Sequence, residues 1–202
     1  MKRRYGKIYC IMMLLTVLLT GCAGESGMNL ADPEKAAENS SVRDAAEKQE
    51  KETEAASSGI VFEGKDLDGN SVSNTVFSEA KLTMINVWAT YCNPCLSEMP
   101  GLGELAASYD PKELRIIGVI SDVTEDADEE TIAAAAELIE ATGADYTHLL
   151  LSESVYFALL KDVTAVPTTF FIDENGTVLD TVVGAMEKSA WEEKINALLE
   201  EQ

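Results

Sequence analysis

A mostly apolar stretch of strand length, Leu82–Ala89 (LTMINVWA), runs to within two residues of a cysteine pair, Cys92 and Cys95. A run this hydrophobic fits a strand buried on both faces, at the centre of a layered sheet. Directly after it, Leu96, Met99, Leu102 and Leu105 recur at helical spacing, which predicts a helix over about 93–109, kinked at Pro100. A second apolar strand is expected at Leu114–Ser121, then an Ala- and Glu-rich helix over 127–142 stopped at Gly143. A short strand at His148–Leu151 and a helix over 153–161 follow. Thr168–Asp173 and Thr177–Val183, joined through Glu174-Asn175-Gly176, read as a hairpin. Residues 187–200 read as a closing amphipathic helix with Trp191, Ile195, Leu198 and Leu199 inward. Ahead of these elements, Ile60-Val61-Phe62 reads as a short strand and Asp68-Gly69-Asn70 as a hairpin turn. The order β–α–β–α–β–α–β–β–α predicts one α/β layered domain over 60–202.

The rest of the chain reads as address and spacer. Residues 1–22 begin with Lys2, Arg3, Arg4 and Lys7, without an acid, and continue as an apolar run from Ile8 to Leu19. That is the layout of a secretory signal, and the run is short for a membrane-spanning helix of about 20 residues. Leu19-Thr20-Gly21-Cys22 resembles the bacterial lipobox, which implies a lipid-modified Cys22 as the mature N-terminus. Residues 23–59 hold no aromatic residue, nine acids and four bases, and read as a flexible, acidic, Ala-rich tether. As a coil it would span about 35 Å. Most of the formal charge of −21 therefore falls on the domain. Such a surface does not suit nucleic acid, which needs clustered Lys and Arg, and favours neutral or basic partners.

Of the four cysteines, Cys10 would leave with the signal and Cys22 would carry lipid, so the domain keeps Cys92 and Cys95. Export would place that pair where disulfides persist. A helix N-terminus, with its unpaired N–H groups, favours an anion, and the thiolate is the reactive form of cysteine. Cys92 at the helix mouth is then the attacking sulfur, and Cys95, one turn in, the resolving one. A structural staple this short would remove little loop entropy. A zinc site would need further ligands, and the chain has a single histidine, His148. No cofactor is called for.

The run NVWATYCNPCLSEMP resembles the active-site segment of the thioredoxin superfamily, and more narrowly its TlpA/ResA-like extracytoplasmic branch. Val166-Pro167-Thr168 and the hairpin TTFFIDENGTV extend the likeness over about 60–202. The resemblance implies a three-layer α/β/α fold around a central mixed sheet. It implies a cis Pro167 facing the cysteines, with Val166 offering its backbone to an extended substrate. It also implies a substrate-binding rim of Trp88, Tyr91, Pro94, Val166, Pro167 and Thr168, although Trp88 and Trp191 taken alone read as core. Two departures stand out. The buried Asp of thioredoxins proper is Asn86 here, which cannot carry a proton. Glu98, one turn past Cys95, matches a glutamate of the ResA-like branch, so it either shuttles or tunes protons for Cys95 or is an ordinary solvated helix residue. Tyr91 stands where a Trp is usual, and Asn93-Pro94 is not the common insert.

Taken together, the expectation is a lipid-anchored thiol–disulfide oxidoreductase, most simply a monomer, on the extracytoplasmic face of a bacterial membrane. It would reduce disulfides of exported proteins, and a membrane electron donor of CcdA/DsbD type would reset it. The rivals are an oxidase running the same chemistry backwards, a redox-silent binding lipoprotein, and a copper chaperone of the Sco type using Cys92, Cys95 and His148. A Sco site spaces its cysteines three residues apart, and a peroxiredoxin would show Pro-x-x-x-Thr-x-x-Cys, which is absent here. The acidic run Glu125–Glu130 reads as a solvated loop and helix start.

Overall fold

The computed structural model describes residues 59–202. The signal expected over 1–22, the lipidation expected at Cys22 and all but the last residue of the tether expected over 23–59 lie outside the described residues. Within the domain the chain first forms a small antiparallel ribbon, β1 (Glu63–Lys65) with β2 (Ser71–Ser73). The turn between them is the expected one. Asp66 Oδ1 accepts from the amides of Asp68 and Asn70 at 3.0 and 2.8 Å, and Gly69 adopts a left-handed φ of 81°. The strand expected at Ile60–Phe62 is not there. Ile60 N–H instead donates to Gly176 O at 2.9 Å, and Phe62 turns wholly into the core against Phe77. Pairing therefore starts only after Phe62. A 3-10 helix over Asn74–Glu79, capped by Ser73, buries Val76 and Phe77. Its sequence, NTVFSE, carries no helical period to announce it.

The main sheet is built on β3 (Leu82–Trp88), buried along its whole length. Next in the chain come α1 (Asn93–Ser108), β4 (Leu114–Thr124), α2 (Glu129–Thr142) and β5 (Thr147–Leu151). A short α3 (Glu153–Val155) runs on as a π-helical turn, Tyr156–Leu160, where one α-helix was expected. β6 (Thr168–Asp173), β7 (Val178–Val183) and α4 (Lys188–Glu200) complete the domain. The strand order is β5-β4-β3-β6-β7. β3 runs parallel to β4 and antiparallel to β6, so the sheet is mixed. β4 is three residues longer than its apolar run, because Val123 returns inward after exposed Asp122. α2 starts later than expected, since the Asp128 carboxylate caps it through Thr131 N–H at 2.8 Å. α1 continues through Pro100 to Ser108, with Pro100 on its exposed side.

Strand alternation divides the core between the two faces of the sheet. On one face Leu82, Met84 and Phe171 pack against Leu102 and Leu105 of α1 and Trp191 and Ile195 of α4. The other face sets Ile85, Val87, Ile117 and Val119 against Phe77, Leu159 and Leu160. A third cluster, with Trp88, Met99, Ile120, Ala135 and Leu150, ties α1 to α2 beside the cysteines. The result is the expected three-layer α/β/α arrangement, with Leu198 and Leu199 only half-buried on α4.

Candidate active site

Five ends of chain meet at one edge of the sheet. β3, β4 and β5 are parallel and point their C-termini there, β6 starts there and β7 finishes there. Cys92 is the N-cap of α1 and forms a disulfide with Cys95. Its Sγ accepts the Cys95 N–H at 3.3 Å and lies 3.6 Å from Val166 O. The Val166–Pro167 peptide is cis. Cys95 has no exposed surface, whereas Cys92 keeps 6%. The helix thus presents one sulfur at its mouth and shields the other. Backbone amides and the helix dipole stabilise negative charge at the presented sulfur.

Beneath Cys95, Glu98 is only 5% exposed. Its Oε1 accepts from Asn86 Nδ2 at 2.9 Å, and its Oε2 from Met186 N–H at 3.0 Å and Trp191 Nε1 at 3.2 Å. Burial pushes the Glu98 carboxyl above the usual range, and these three donors pull back against it. An ordinary solvated glutamate is therefore ruled out. Asn86 Nδ2 also donates to Thr169 Oγ1 at 3.0 Å, while Asn86 Oδ1 is buried without a partner. The asparagine in the place of an acid thus serves as the donor that receives Glu98. Burial and the nearby Glu98 push the Tyr146 hydroxyl up as well.

Of the expected substrate rim, Tyr91 is 74% exposed, Pro94 is exposed and Val166 is half-buried. Pro167 lies beneath them, buried. Trp88 and Thr168 do not belong to that rim. Trp88 is sealed in the core, and Thr168 is buried with its hydroxyl donating to Ala165 O at 2.8 Å. Both face inward because their strands are covered on both sides, so they support the site from behind.

His148 is a structural residue of the core and not a free ligand. It is 3% exposed, its Nδ1 accepts from Trp88 Nε1 at 3.1 Å, and its Nε2 stands 3.0 Å from Ala144 O. Tyr146 stacks on the ring at 4.4 Å, and only a glycine at 118 leaves room for it. With both nitrogens occupied in the core, the Sco-type reading with Cys92, Cys95 and His148 does not fit this geometry.

Two participants escaped the sequence reading. Trp191 looked like core alone, yet its indole N–H holds Glu98. Asp122, just past the apolar run of β4, accepts from Thr90 N–H at 3.0 and 3.2 Å and from Thr90 Oγ1 at 2.5 Å. An acid at the C-terminal end of a central parallel strand was the available signal.

Known proteins show the same frame. Residues 56–181 match the family described as AhpC/TSA. The thioredoxin-like protein YneN of Bacillus subtilis (strain 168) is 30% identical over 135 residues, 67% of this chain and 75% of that protein. The thiol-disulfide oxidoreductase ResA of Oceanobacillus iheyensis is 32% identical over 124 residues. That match covers 61% of this chain and 60% of ResA, less than two thirds of the relative's own length. Among solved structures, dsbF of MTB, in mixed oxidized and reduced forms, superposes with a TM-score of 0.56 at 28% identity, covering 69% of this chain and 96% of that one. The exposed lipoprotein thioredoxin Etrx1 of Streptococcus pneumoniae gives 0.52 at 25% identity, covering 68% and 98%.

Proposed function

This chain belongs to the AhpC/TSA family, thioredoxin-like in fold, and on that premise we propose that it is a thiol–disulfide oxidoreductase whose redox couple is Cys92–Cys95. The observation that carries the reading is the asymmetry of the pair. One sulfur caps a helix beside the cis Val166–Pro167 peptide, and the other is sealed behind it. Relatives named thiol-disulfide oxidoreductase support the same chemistry.

In the reducing direction the Cys92 thiolate attacks one sulfur of a substrate disulfide, and the other substrate sulfur leaves as thiolate. Cys95, deprotonated, then attacks Cys92 Sγ and expels the second substrate sulfur. The substrate gains two electrons, and the Cys92–Cys95 disulfide forms. Glu98, buried one turn beyond Cys95 with a raised pKa, is suited to take up the Cys95 proton. Tyr91, Pro94 and the Val166 backbone are the groups the substrate would meet.

We place the protein on the extracytoplasmic side of a bacterial membrane, attached through Cys22, acting on exported proteins and reset by a membrane donor of CcdA/DsbD type. The signal-like residues 1–22 and the likeness to an exposed lipoprotein thioredoxin support that placement.

The test is a trap and a titration on the full chain. Cys95→Ser should accumulate a mixed disulfide with its substrate on a non-reducing gel, and Cys92→Ser should not. A midpoint near or below about −270 mV against dithiothreitol supports the reductive direction. A midpoint near about −120 mV would make it an oxidase. Absence of a reversible two-electron couple would end the dithiol reading.

A further inference from the structure

We propose that Asp122 is a positioning residue for Cys92, acting through Thr90 as a strap that holds the reactive sulfur over its partner. This inference rests on the dithiol reading above. The segment between β3 and α1 is a short connection, and nearly every residue in it is tied down. Trp88 O accepts from Ser121 Oγ at 2.9 Å, and Ala89 O accepts from Cys92 N–H at 3.0 Å. Thr90 gives both its backbone N–H and its hydroxyl to the Asp122 carboxylate. Tyr91 alone is left to solvent. Two consecutive residues of β4, Ser121 and Asp122, thus grip the turn that ends at the nucleophile.

The position of Asp122 in its strand is unusual. The ladder of β4 with β3 ends at Ile120 opposite Trp88. On its other side β4 pairs with β5 up to Val119, and the register then shifts before Thr124 meets Leu151. Asp122 falls inside this irregularity. Irregular strand segments of this kind re-aim side chains next to active sites. Here the exposed carboxylate is spent on one residue of the neighbouring connection. Hydrogen bonds to an ionised acceptor are the stronger kind, and two donors on one residue fix direction as well as distance.

The consequence is an effective concentration. Closing the Cys92–Cys95 disulfide needs the two sulfurs together, and each degree of freedom removed from the Thr90–Cys92 turn favours closure. Asp122 is exposed and Thr90 half-buried, so releasing the strap loosens the turn and leaves the apolar core in place.

The experiment is the redox equilibrium of the full chain with glutathione, in which two glutathione thiols are oxidised to one disulfide as Cys92–Cys95 is reduced. Asp122→Ala should lower the equilibrium constant for disulfide closure about tenfold, a midpoint about 30 mV less reducing. Thr90→Ala, which keeps the backbone N–H, should give a smaller loss in the same direction. In the double variant the two losses should overlap instead of adding. Thr90→Ser, which keeps the hydroxyl, should stay within about threefold of the parent, and Asp122→Asn, which keeps one acceptor oxygen and loses the charge and the second oxygen, should fall between the parent and Asp122→Ala. An Asp122→Ala chain that is folded and has the parent midpoint overturns the proposal, as do losses that simply add. If Asp122→Ala fails to fold, the Thr90→Ala and Asp122→Asn pair decides on the same terms. A parent chain with no reversible couple overturns the dithiol reading instead, so the two failures are distinct.

Discussion

Trp88 Nε1 donates to His148 Nδ1 across 3.1 Å, so the lone histidine of the chain serves as an acceptor buried beneath the residue that ends β3. The other ring nitrogen, Nε2, then carries the proton toward Ala144 O. Protonating Nδ1 would set two donors against each other.

The first prediction concerns pH. Burial pushes the His148 pKa down from 6.5 to about 4. The unfolded chain takes up a proton below the higher value, and the native one resists until the lower. Stability from this site is therefore complete above about pH 6.5 and falls as pH drops towards 4, by a total on the order of 3 kcal/mol. Urea unfolding at pH 7 and pH 4.5 should show that loss in the parent, and His148→Gln should abolish it. An equal loss in both chains would contradict the neutral buried histidine.

A methyl group at position 118 supplies a second test. A Cβ there would stand 2.2 Å from His148 Nδ1. Gly118→Ala should cost about 3 kcal/mol through this overlap. Adding His148→Ala should return part of it, a non-additivity that denaturant midpoints would reveal.

Glu98 gives the opposite pH dependence. Its carboxyl is held above 4.5 by burial, so the folded chain binds a proton more tightly than the unfolded one. That contribution is complete below about pH 4.5 and is lost as pH rises through the raised value. Glu98→Gln should remove this slope while remaining folded. The Asn86 amide can turn its unpaired Oδ1 toward the new NH2 group. Reduction of a disulfide substrate should slow about tenfold or more in Glu98→Gln, and its pH–rate profile should lose one inflection. An unchanged profile would remove Glu98 from the proton path.

Tyr91 should separate binding from chemistry. With 74% of its surface exposed, Tyr91→Ala should leave stability within about 0.5 kcal/mol. KM for a protein disulfide should rise severalfold while the rate with a small disulfide stays level. A fall in both would assign Tyr91 to the chemistry itself.

The apolar runs and the cysteine spacing made the sheet, the helix mouth and the redox pair readable from sequence, because hydrophobic period and local chemistry are written in consecutive residues. What stayed hidden depended on distant partners. Ile60–Phe62 has strand composition, but Gly176 claims Ile60 and the core claims Phe62. Trp191 lies 93 residues from Glu98, and Asp122 lies 32 from Thr90, separations at which no periodicity operates. Trp88 and Thr168 were drawn to the substrate rim by their neighbours in the motif, and the cover on both faces of β3 and β6 buried them instead.

The reactive mouth is made of two pieces that are far apart in the chain. Cys92 and the Val166 carbonyl beside it are separated by 74 residues, a span that holds α1, β4, α2, β5 and α3. A chain folded only part of the way would hold both cysteines yet lack the wall that faces them. Such long-range closure comes late in folding. Selective disulfide exchange would therefore be a property only of the finished domain, and half-made copies would be limited to the unguided reactivity of any exposed thiol.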